Sequence, residues 1–178
     1  MTTHVDPITF LNSLRATRSF RPDPVPDAAL HDILEVVRRS GSAMNLQPWH
    51  VIVIRDRAML DRLGAIGGNC DHVANAPLAL ALIMDGKVEM FDTYDEGRLS
   101  ERIMLAAEAH GLGSCIGWYG DPADCAAAKA ALAVPAERTF RTIISIGYPA
   151  PRDAAAARPT PIKRKTLAEI VSQEQFGR

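Results

Sequence analysis

Two carboxamide side chains, Asn45 and Gln47, stand in the segment SGSAMNLQPWHVIVI, just before a Pro-Trp step and a run of β-branched residues. A carboxamide carries a hydrogen-bond donor and an acceptor side by side, which matches the alternating N–H and C=O groups along the edge of a pyrimidine-type ring. The same residues also suit an Asn-based turn in which Trp49 fills the core. The segment therefore indicates either a site for a heterocyclic ring or an ordinary turn.

Basic residues cluster near both ends of the chain. The clusters are Arg15, Arg18 and Arg21 near the N-terminus, and Lys163, Arg164 and Lys165 near the C-terminus. A phosphate group carries about −1.5 to −2 charges at neutral pH and is bound well by Arg side chains. Such charges are also common on a solvated surface. Taken with the two amides, the clusters indicate a mononucleotide whose ring has a hydrogen-bonding edge.

Other common chemistries lack the residues that they need. The five histidines form no HExxH pattern or ligand cluster, so zinc hydrolysis is excluded and no metal site is predicted. No GxSxG segment is present for acyl transfer. The patterns GxGxxG and GxxxxGK[ST] are absent, and GLGSCIG follows a helix and opens a strand, the wrong order for holding a phosphate at a helix N-terminus. No side chain is therefore predicted to act as a nucleophile or as a metal ligand.

The composition is that of an ordinary globular protein. The chain has 178 residues, of which 47% are hydrophobic and 23% charged, and this suits one domain over residues 1–178. The net charge of −1 gives no electrostatic reason to expect nucleic acid as a partner. No apolar run reaches the roughly 18 residues that a membrane span needs. The N-terminus has no signal-peptide pattern, and the cysteines show neither even pairing nor CxxC spacing, which predicts a cytoplasmic protein with free thiols.

Periodicity and capping signals predict a mixture of helices and strands. Helices are expected over residues 6–14, 27–39, 60–66, 96–113 and 121–133, with a last short helix opened by the capping box of Thr166 and Glu169. Strands are expected over 50–56, 77–85, 114–120 and 142–149; the first is expected to be buried, and the leucines and alanines of the second leave a helix possible. Because strands and helices do not alternate strictly, the prediction is an α+β fold with an extended C-terminal tail over 149–178.

At these residues the chain resembles the FMN-dependent nitroreductase family. The family's opening Arg-rich segment is matched by RATRSFRPDPVP, and its Pro-Ser-x-x-Asn-x-Gln-Pro-Trp segment and strand are matched by GSAMNLQPWHVIVI. A helix that ends in Leu-Ala-Ala before Gly-Leu-Gly-x-Cys corresponds to MLAAEAHGLGSC. The closing strand with Gly-Tyr-Pro and the basic tail correspond to IISIGYPAPRD and PIKRKTLAEIV. Four motifs in the right order, over residues 10–171, are more specific than any one of them.

The resemblance implies an FMN site with roles for individual residues. Arg15 would bind the phosphate, helped by Lys163 and Arg164, and Arg18 would face the N1/O2 edge of the ring, where a cation favours negative charge. Ser42 and Asn45 would hydrogen-bond the ring and the ribityl chain, and Gln47 would support that loop. Residues 114–118 would line the other side of the ring. From that strand the resemblance assigns Ser114, Ile116, Gly117 and Trp118.

The resemblance also implies an architecture and an activity. The fold would be a central, mostly antiparallel sheet flanked by helices, in an interlocked homodimer whose subunits share each FMN site. The reaction would move a hydride from NAD(P)H to a small acceptor, such as a nitroaromatic compound or a quinone, with the two substrates using the site in turn. No side chain would need to be catalytic, because the cofactor carries the chemistry.

Several positions depart from the family's pattern. Ala16 stands where a phosphate-binding serine is common, Leu14 where a basic residue is frequent, and Gly41 where proline is usual. The segment DEGRLSERI places the charges of Arg98, Glu101 and Arg102 where many relatives have small or amide residues. These charges would either narrow the substrate pocket or lie on a solvated helix face.

Three other interpretations remain open at this stage. The same fold could support reductive dehalogenation or flavin fragmentation, although Lys87, Glu89 and Tyr94 do not have the spacing of a deiodinase lid. It could also bind flavin without catalysis. Finally, an unrelated nucleotide-binding or interaction domain could carry similar motifs.

Overall fold

The computed structural model describes residues 6–151 and 163–177, and these residues form six α-helices and four β-strands. The helices are α1 (Pro7–Ser13), α2 (Asp27–Arg38), α3 (Arg57–Ala65), α4 (Glu89–Ala109), α5 (Pro122–Ala131) and α6 (Leu167–Ile170). The strands are β1 (Trp49–Ile54), β2 (Leu78–Met84), β3 (Gly113–Trp118) and β4 (Thr139–Gly147).

Local signals explain where the helices begin. The carboxylate of Asp6 accepts a hydrogen bond from Thr9 N at 2.8 Å, and that of Asp121 accepts one from Ala123 N at 2.7 Å. In both helices a proline follows the cap, where its missing N–H costs nothing. Thr166 and Glu169 form the predicted capping box of α6.

The strands form one antiparallel sheet in the order β1-β2-β4-β3. Side chains of a strand alternate between the two faces. Leu78, Leu80 and Leu82 of β2 pack on one face with α2 and α4. Ala79 and Ala81 pack on the other face with residues of α3 and α5. The sheet is therefore sandwiched between two helical layers, and the predicted α+β fold with a mostly antiparallel central sheet is confirmed.

Two expectations about single elements were wrong. The long helix α4 begins at Glu89, seven residues before the predicted start at residue 96. Its first turn carries Glu89 and Asp92, whose negative charges favour a helix N-terminus, but its N-cap, Val88, makes no side-chain cap. The first strand was expected to be buried, yet β1 is an edge strand with a mostly half-exposed pattern, and Val53 is 38% exposed. The fully buried strand is β2.

Most of the predicted proline-alanine linker, residues 152–162, lies outside the described residues. Within the described ranges, no helix combines the length and the apolar character that crossing a membrane requires.

Candidate functional site

Residues 42–47, called here the amide loop, have a strained backbone. The loop contains a 3₁₀ turn, Ala43–Asn45, and three of its residues lie in the left-handed region: Met44 with φ 49°, Asn45 with φ 56° and Gln47 with φ 51°. Residues other than glycine rarely adopt this conformation, and such strain persists only where surrounding contacts impose it.

Three hydrogen bonds impose this conformation. Gln47 N donates to Ser42 Oγ at 2.8 Å, and Gln47 Nε2 donates to the Asn45 carbonyl oxygen at 3.2 Å. Ala43 N donates to Asp95 Oδ2 at 3.0 Å, which ties the loop to α4. Gln47 thus braces the loop through its side chain. The exposed Asn45 carboxamide makes no hydrogen bond within the described residues, so it is available to a ligand.

The support for the loop is a buried acidic segment of α4. Asp92 and Asp95 are each 2% exposed and Glu96 is 6% exposed. Asp92 Oδ2 accepts a hydrogen bond from Gly86 N at 2.9 Å, and Glu96 Oε2 lies 3.4 Å from a guanidinium nitrogen of Arg141. Burial raises the pKa of Asp92 and that of Glu96, because it penalises the charged form. All three carboxylates therefore contact other parts of the same chain.

Three other charged residues of DEGRLSERI, Arg98, Glu101 and Arg102, are exposed on the same helix. Arg98 Nη1 lies 3.8 Å from Asp95 Oδ1, and it would lie 3.2 Å from a Cβ atom at Gly41. Arg98 is therefore next to the amide loop. Glu101 and Arg102 make no ion pair within the described residues, which fits the solvated-face interpretation for these two.

A second group forms where residues 15–18 run beside β3; we call this group the arginine edge. Ala16 forms a parallel bridge with Ser114, and Thr17 N donates to the Ser114 carbonyl oxygen at 2.8 Å. A Cβ atom at Gly113 would come within 2.4 Å of Thr17 Oγ1. The absence of a side chain at Gly113 is thus what lets this segment approach the strand.

The side chains of the arginine edge offer charge, hydroxyl groups and apolar surface. Arg15 and Arg18 are exposed, and Arg15 Nη1 donates to the carbonyl oxygens of Asn12 and Leu14, each at 2.7 Å. The Ser114 hydroxyl is buried and has no hydrogen-bond partner in the described structure. Ile116 and Trp118 are 40% and 54% exposed, an unusual degree for large apolar side chains on a strand.

Below the strand lie polar groups that sequence reasoning missed. Gly117 is buried, and a Cβ atom there would lie 2.8 Å from Cys70 Sγ and 3.3 Å from His72 Nε2. His72 Nδ1 lies 2.7 Å from Ser145 Oγ. Burial lowers the pKa of His72 and raises the pKa of Cys70 to about 11, so both groups are uncharged at neutral pH. Cys70 and His72 thus form an uncharged surface under Gly117 and leave no room there for a larger residue.

The structure brings some predicted site residues together and leaves others apart. Arg15, Arg18 and the four assigned residues of β3 lie along one edge, while Ser42, Asn45 and Gln47 lie in the amide loop beside α4. Lys163 and Arg164 are exposed in the segment that leads into α6. Among residues 6–151 and 163–177, no hydrogen bond or ion pair connects the amide loop, the arginine edge and this tail.

The residues present fit a phosphorylated, ring-containing cofactor such as FMN. Exposed guanidinium groups suit a phosphate, an unpartnered buried hydroxyl suits a polar chain or ring, and exposed Ile116 and Trp118 suit a flat apolar surface. The part of the chain that is described contains no group of three or more His, Cys, Asp or Glu residues placed to hold a metal ion.

Comparison with known proteins gives a consistent set of similarities. The model of the Nitroreductase family matches residues 12–96. A relative from Thermus thermophilus named NADH dehydrogenase is 28% identical over 190 residues, covering 86% of this chain and 91% of that protein. A relative from Archaeoglobus fulgidus, named as a candidate NADH dehydrogenase/NAD(P)H nitroreductase, is 30% identical over 140 residues, covering 76% of this chain and 80% of that protein.

A solved structure gives the same fold. The FMN-dependent nitroreductase from Clostridium difficile R20291 aligns with a TM-score of 0.80 and 27% sequence identity, over 95% of this chain and 99% of that one. The similarity covers nearly the whole length of both proteins, including the sheet and both helical layers.

Proposed function

The chain belongs to the nitroreductase family, and on this premise we propose that it transfers hydride from NAD(P)H to nitroaromatic or quinone acceptors at a site that holds FMN. At the coarser level it is an NAD(P)H-dependent flavin oxidoreductase, as the names of its relatives and of its structural neighbour indicate. The acceptors and the order of substrate binding are the finer part of the proposal.

The observation that carries the proposal is the composition of the arginine edge. There two exposed arginines, an unpartnered buried hydroxyl and two exposed apolar side chains occur along one strand. When bound, FMN supplies the hydride-accepting and hydride-donating chemistry. Arg15 binds the phosphate, with Lys163 and Arg164 as further cations. Arg18 would bring a positive charge to the ring, and Ser114 would offer its hydroxyl group.

The other residues of the site would bind and orient the cofactor. Asn45 presents its carboxamide to the ring, while Ser42 and Gln47 hold the loop that carries it. The backbone at Gly117 and the side chains of Ile116 and Trp118 would hold the ring and exclude water from it. The nicotinamide and the acceptor would use the site in turn, which predicts ping-pong kinetics.

We propose in addition that the working unit is a homodimer. The amide loop and the arginine edge are unconnected within one chain, so a site that uses both is completed when one subunit supplies the loop and its partner supplies the edge. The exposed apolar side chains of the described residues are candidates for such an interface, because contiguous apolar patches mark interaction sites. They include Met90, Tyr94, Ile116, Trp118, Leu167 and Phe176. The proposed location is the cytoplasm, because all three cysteines are free thiols.

The direct test is the visible absorption spectrum of the purified protein before and after anaerobic addition of NADH or NADPH. We expect a flavin band that NAD(P)H bleaches and that p-benzoquinone or a nitrobenzoate restores, with parallel lines in double-reciprocal plots. A protein that retains no flavin band after incubation with FMN and removal of the unbound FMN would refute the proposal. A flavin band that NAD(P)H leaves unchanged would identify a flavin binder without this activity.

A mixing experiment tests the shared site. Arg15→Gln and Asn45→Ala each impair one half of every site, and a mixed dimer regains one intact site only if the halves come from different subunits. We expect the mixture, after subunit exchange, to regain part of the activity that both variants lack. Activity that stays at the level of the separate variants would show that each site lies within one chain. Light scattering measures the oligomeric state directly.

A further inference from the structure

A cleft lies on the face of the sheet that carries α3 and α5. Its volume is about 270 Å³, and it shares no residue with the amide loop or the arginine edge. Most of its wall is apolar, formed by Ile52, Ile83, Leu132, Val134 and Pro135. His50 and Arg138 stand on its rim as the polar groups.

The guanidinium group of Arg138 has no partner in the described part of the chain. The residue is half-buried, yet the ion pairs and side-chain hydrogen bonds of residues 6–151 and 163–177 do not include its guanidinium nitrogens. The carboxylate of Asp85, which is close enough to be affected by Arg138, is paired with Lys87 at 3.2 Å. Removing part of a charged group from water without a partner is costly, so the Arg138 guanidinium beside this apolar wall would gain from pairing with an anion.

The wall next to Arg138 is already fixed in position. Lys129 Nζ donates to the carbonyl oxygens of Ala136 and Arg138, at 2.8 and 2.6 Å. Val134 N donates to the Lys129 carbonyl oxygen at 2.9 Å. These bonds hold the segment after α5 without using the Arg138 side chain. A ligand would therefore meet a preformed surface, which lowers the cost of binding.

We propose that this cleft binds a small carboxylate with a single ring or a branched apolar body, as a site separate from the one that holds FMN. The carboxylate pairs with the Arg138 guanidinium, whose planar group matches two carboxylate oxygens, and the apolar body contacts Ile52, Ile83 and Val134. The volume decides the size of the ligand. Pockets for drug-sized molecules measure roughly 300 to 1,000 Å³, so this one takes one ring and is too small for a nucleotide.

The test is a titration of the protein, saturated with FMN, with benzoate as the probe, followed by two-dimensional amide NMR. We expect shift changes at Ile52 and Val134, and a dissociation constant at least about tenfold weaker for Arg138→Gln, the effect of losing one charge-assisted pair. Benzamide, which has the same shape without the charge, should also bind at least about tenfold more weakly. The matched control is Arg62→Gln on α3, an exposed arginine outside the cleft, which should bind benzoate like the original protein.

Three results would overturn the proposal. They are the absence of saturable binding, equal affinity in Arg138→Gln, and shift changes confined to residues 15–18 and 114–118. The last would place benzoate at the arginine edge instead. A second variant, Val134→Phe, narrows the cleft and leaves the charge in place; it should also weaken benzoate binding, and its thermal unfolding shows that the fold is kept. Because none of these measurements uses NAD(P)H turnover, failure here is distinct from failure of the proposed reaction.

Discussion

The amide loop and the arginine edge are built in opposite ways. The loop holds three non-glycine residues in the left-handed region and depends on one long-range hydrogen bond, from Ala43 N to Asp95. The edge has ordinary extended backbone, and it depends on close approach between Thr17 and Gly113. The loop is thus held by the side chain of Asp95, which is fifty-two residues from Ala43 in the sequence. The edge instead depends on the absence of a side chain at Gly113.

This difference predicts different kinds of sensitivity. A strained loop keeps its shape only while its anchor is present, so removal of a polar group should disturb it. A closely packed edge tolerates removal of atoms and fails when atoms are added. Both groups would carry flavin contacts, so binding of FMN reports on each of them.

The largest effect is expected for Gly113→Ala. The new Cβ atom would come within 2.4 Å of Thr17 Oγ1 and 2.6 Å of Thr17 Cβ, so residues 15–18 must move away from β3. Overpacking of this kind costs about 1–3 kcal/mol, and Arg15 and Arg18 would lose their positions. We expect a lower free energy of unfolding in urea and the loss of most FMN affinity, measured by quenching of FMN fluorescence.

Two further variants isolate the cause. Thr17→Gly removes the three atoms that the new methyl group would meet, so it should recover FMN affinity when combined with Gly113→Ala. Gly97→Ala adds a methyl group within α4 where no atom lies within 4 Å, and it should stabilise the protein by about 0.5–1 kcal/mol. If Gly113→Ala behaves like Gly97→Ala, close approach does not hold the arginine edge.

An intermediate effect is expected for Asp95→Ala. The Ala43 N–H would lose its acceptor, which typically costs about 1–3 kcal/mol for a part-buried group, and the strained loop would relax. We expect FMN to bind roughly tenfold more weakly, since each 1.4 kcal/mol is a factor of ten. Asp95→Asn keeps an acceptor oxygen, so in fluorescence titrations its FMN affinity should lie between those of the original protein and Asp95→Ala. Unchanged affinity in Asp95→Ala would mean that the loop holds its shape without this anchor.

The smallest effect is expected for Met44→Gly. A left-handed conformation costs a residue with a Cβ atom about 1–2 kcal/mol, and the greater freedom of glycine in the unfolded chain offsets about 0.4–1 kcal/mol of the gain. The net change should be a stabilisation of about 0 to 1.6 kcal/mol in thermal unfolding. Because Met44 is 76% exposed, FMN affinity should hardly change. Met44→Ala keeps the Cβ atom and is the control; an equal gain there would point away from backbone strain.

The sequence predicted the local features of both groups and missed the contacts between distant residues. Asn45 and Gln47 were predicted from their types and neighbours, and the capping signals at Asp6, Asp121 and Thr166 located helix starts correctly. These signals act over three or four residues. The order of helices and strands supplied the α+β class, and the family resemblance supplied the mostly antiparallel sheet and the cofactor.

Contacts between distant residues could not be predicted in this way. Nothing around Asp95 indicates that it accepts a hydrogen bond from Ala43, because that pairing depends on how α4 crosses the sheet. The cleft beside Arg138 could likewise not be predicted, because its lining residues come from β1, β2 and the segment after α5, which are far apart in the sequence. The β-branched composition of β1 predicted that this strand would be buried. It is half-exposed because it lies at the edge of the sheet, whereas β2 lies inside the sheet and is the buried strand.

The two helical layers rest on unequal surfaces of the central strand. Toward α2 and α4, β2 presents leucines, whereas toward α3 and α5 it presents Ala79, Ala81 and Ile83. The rings of Tyr119 and Phe140, with centroids 5.5 Å apart, belong to the core on this second side. Ala81 is paired with Ile52 and lies two residues before Ile83, and both of these line the Arg138 cleft, so an enlargement at Ala81 would change a binding surface through the interior of the protein.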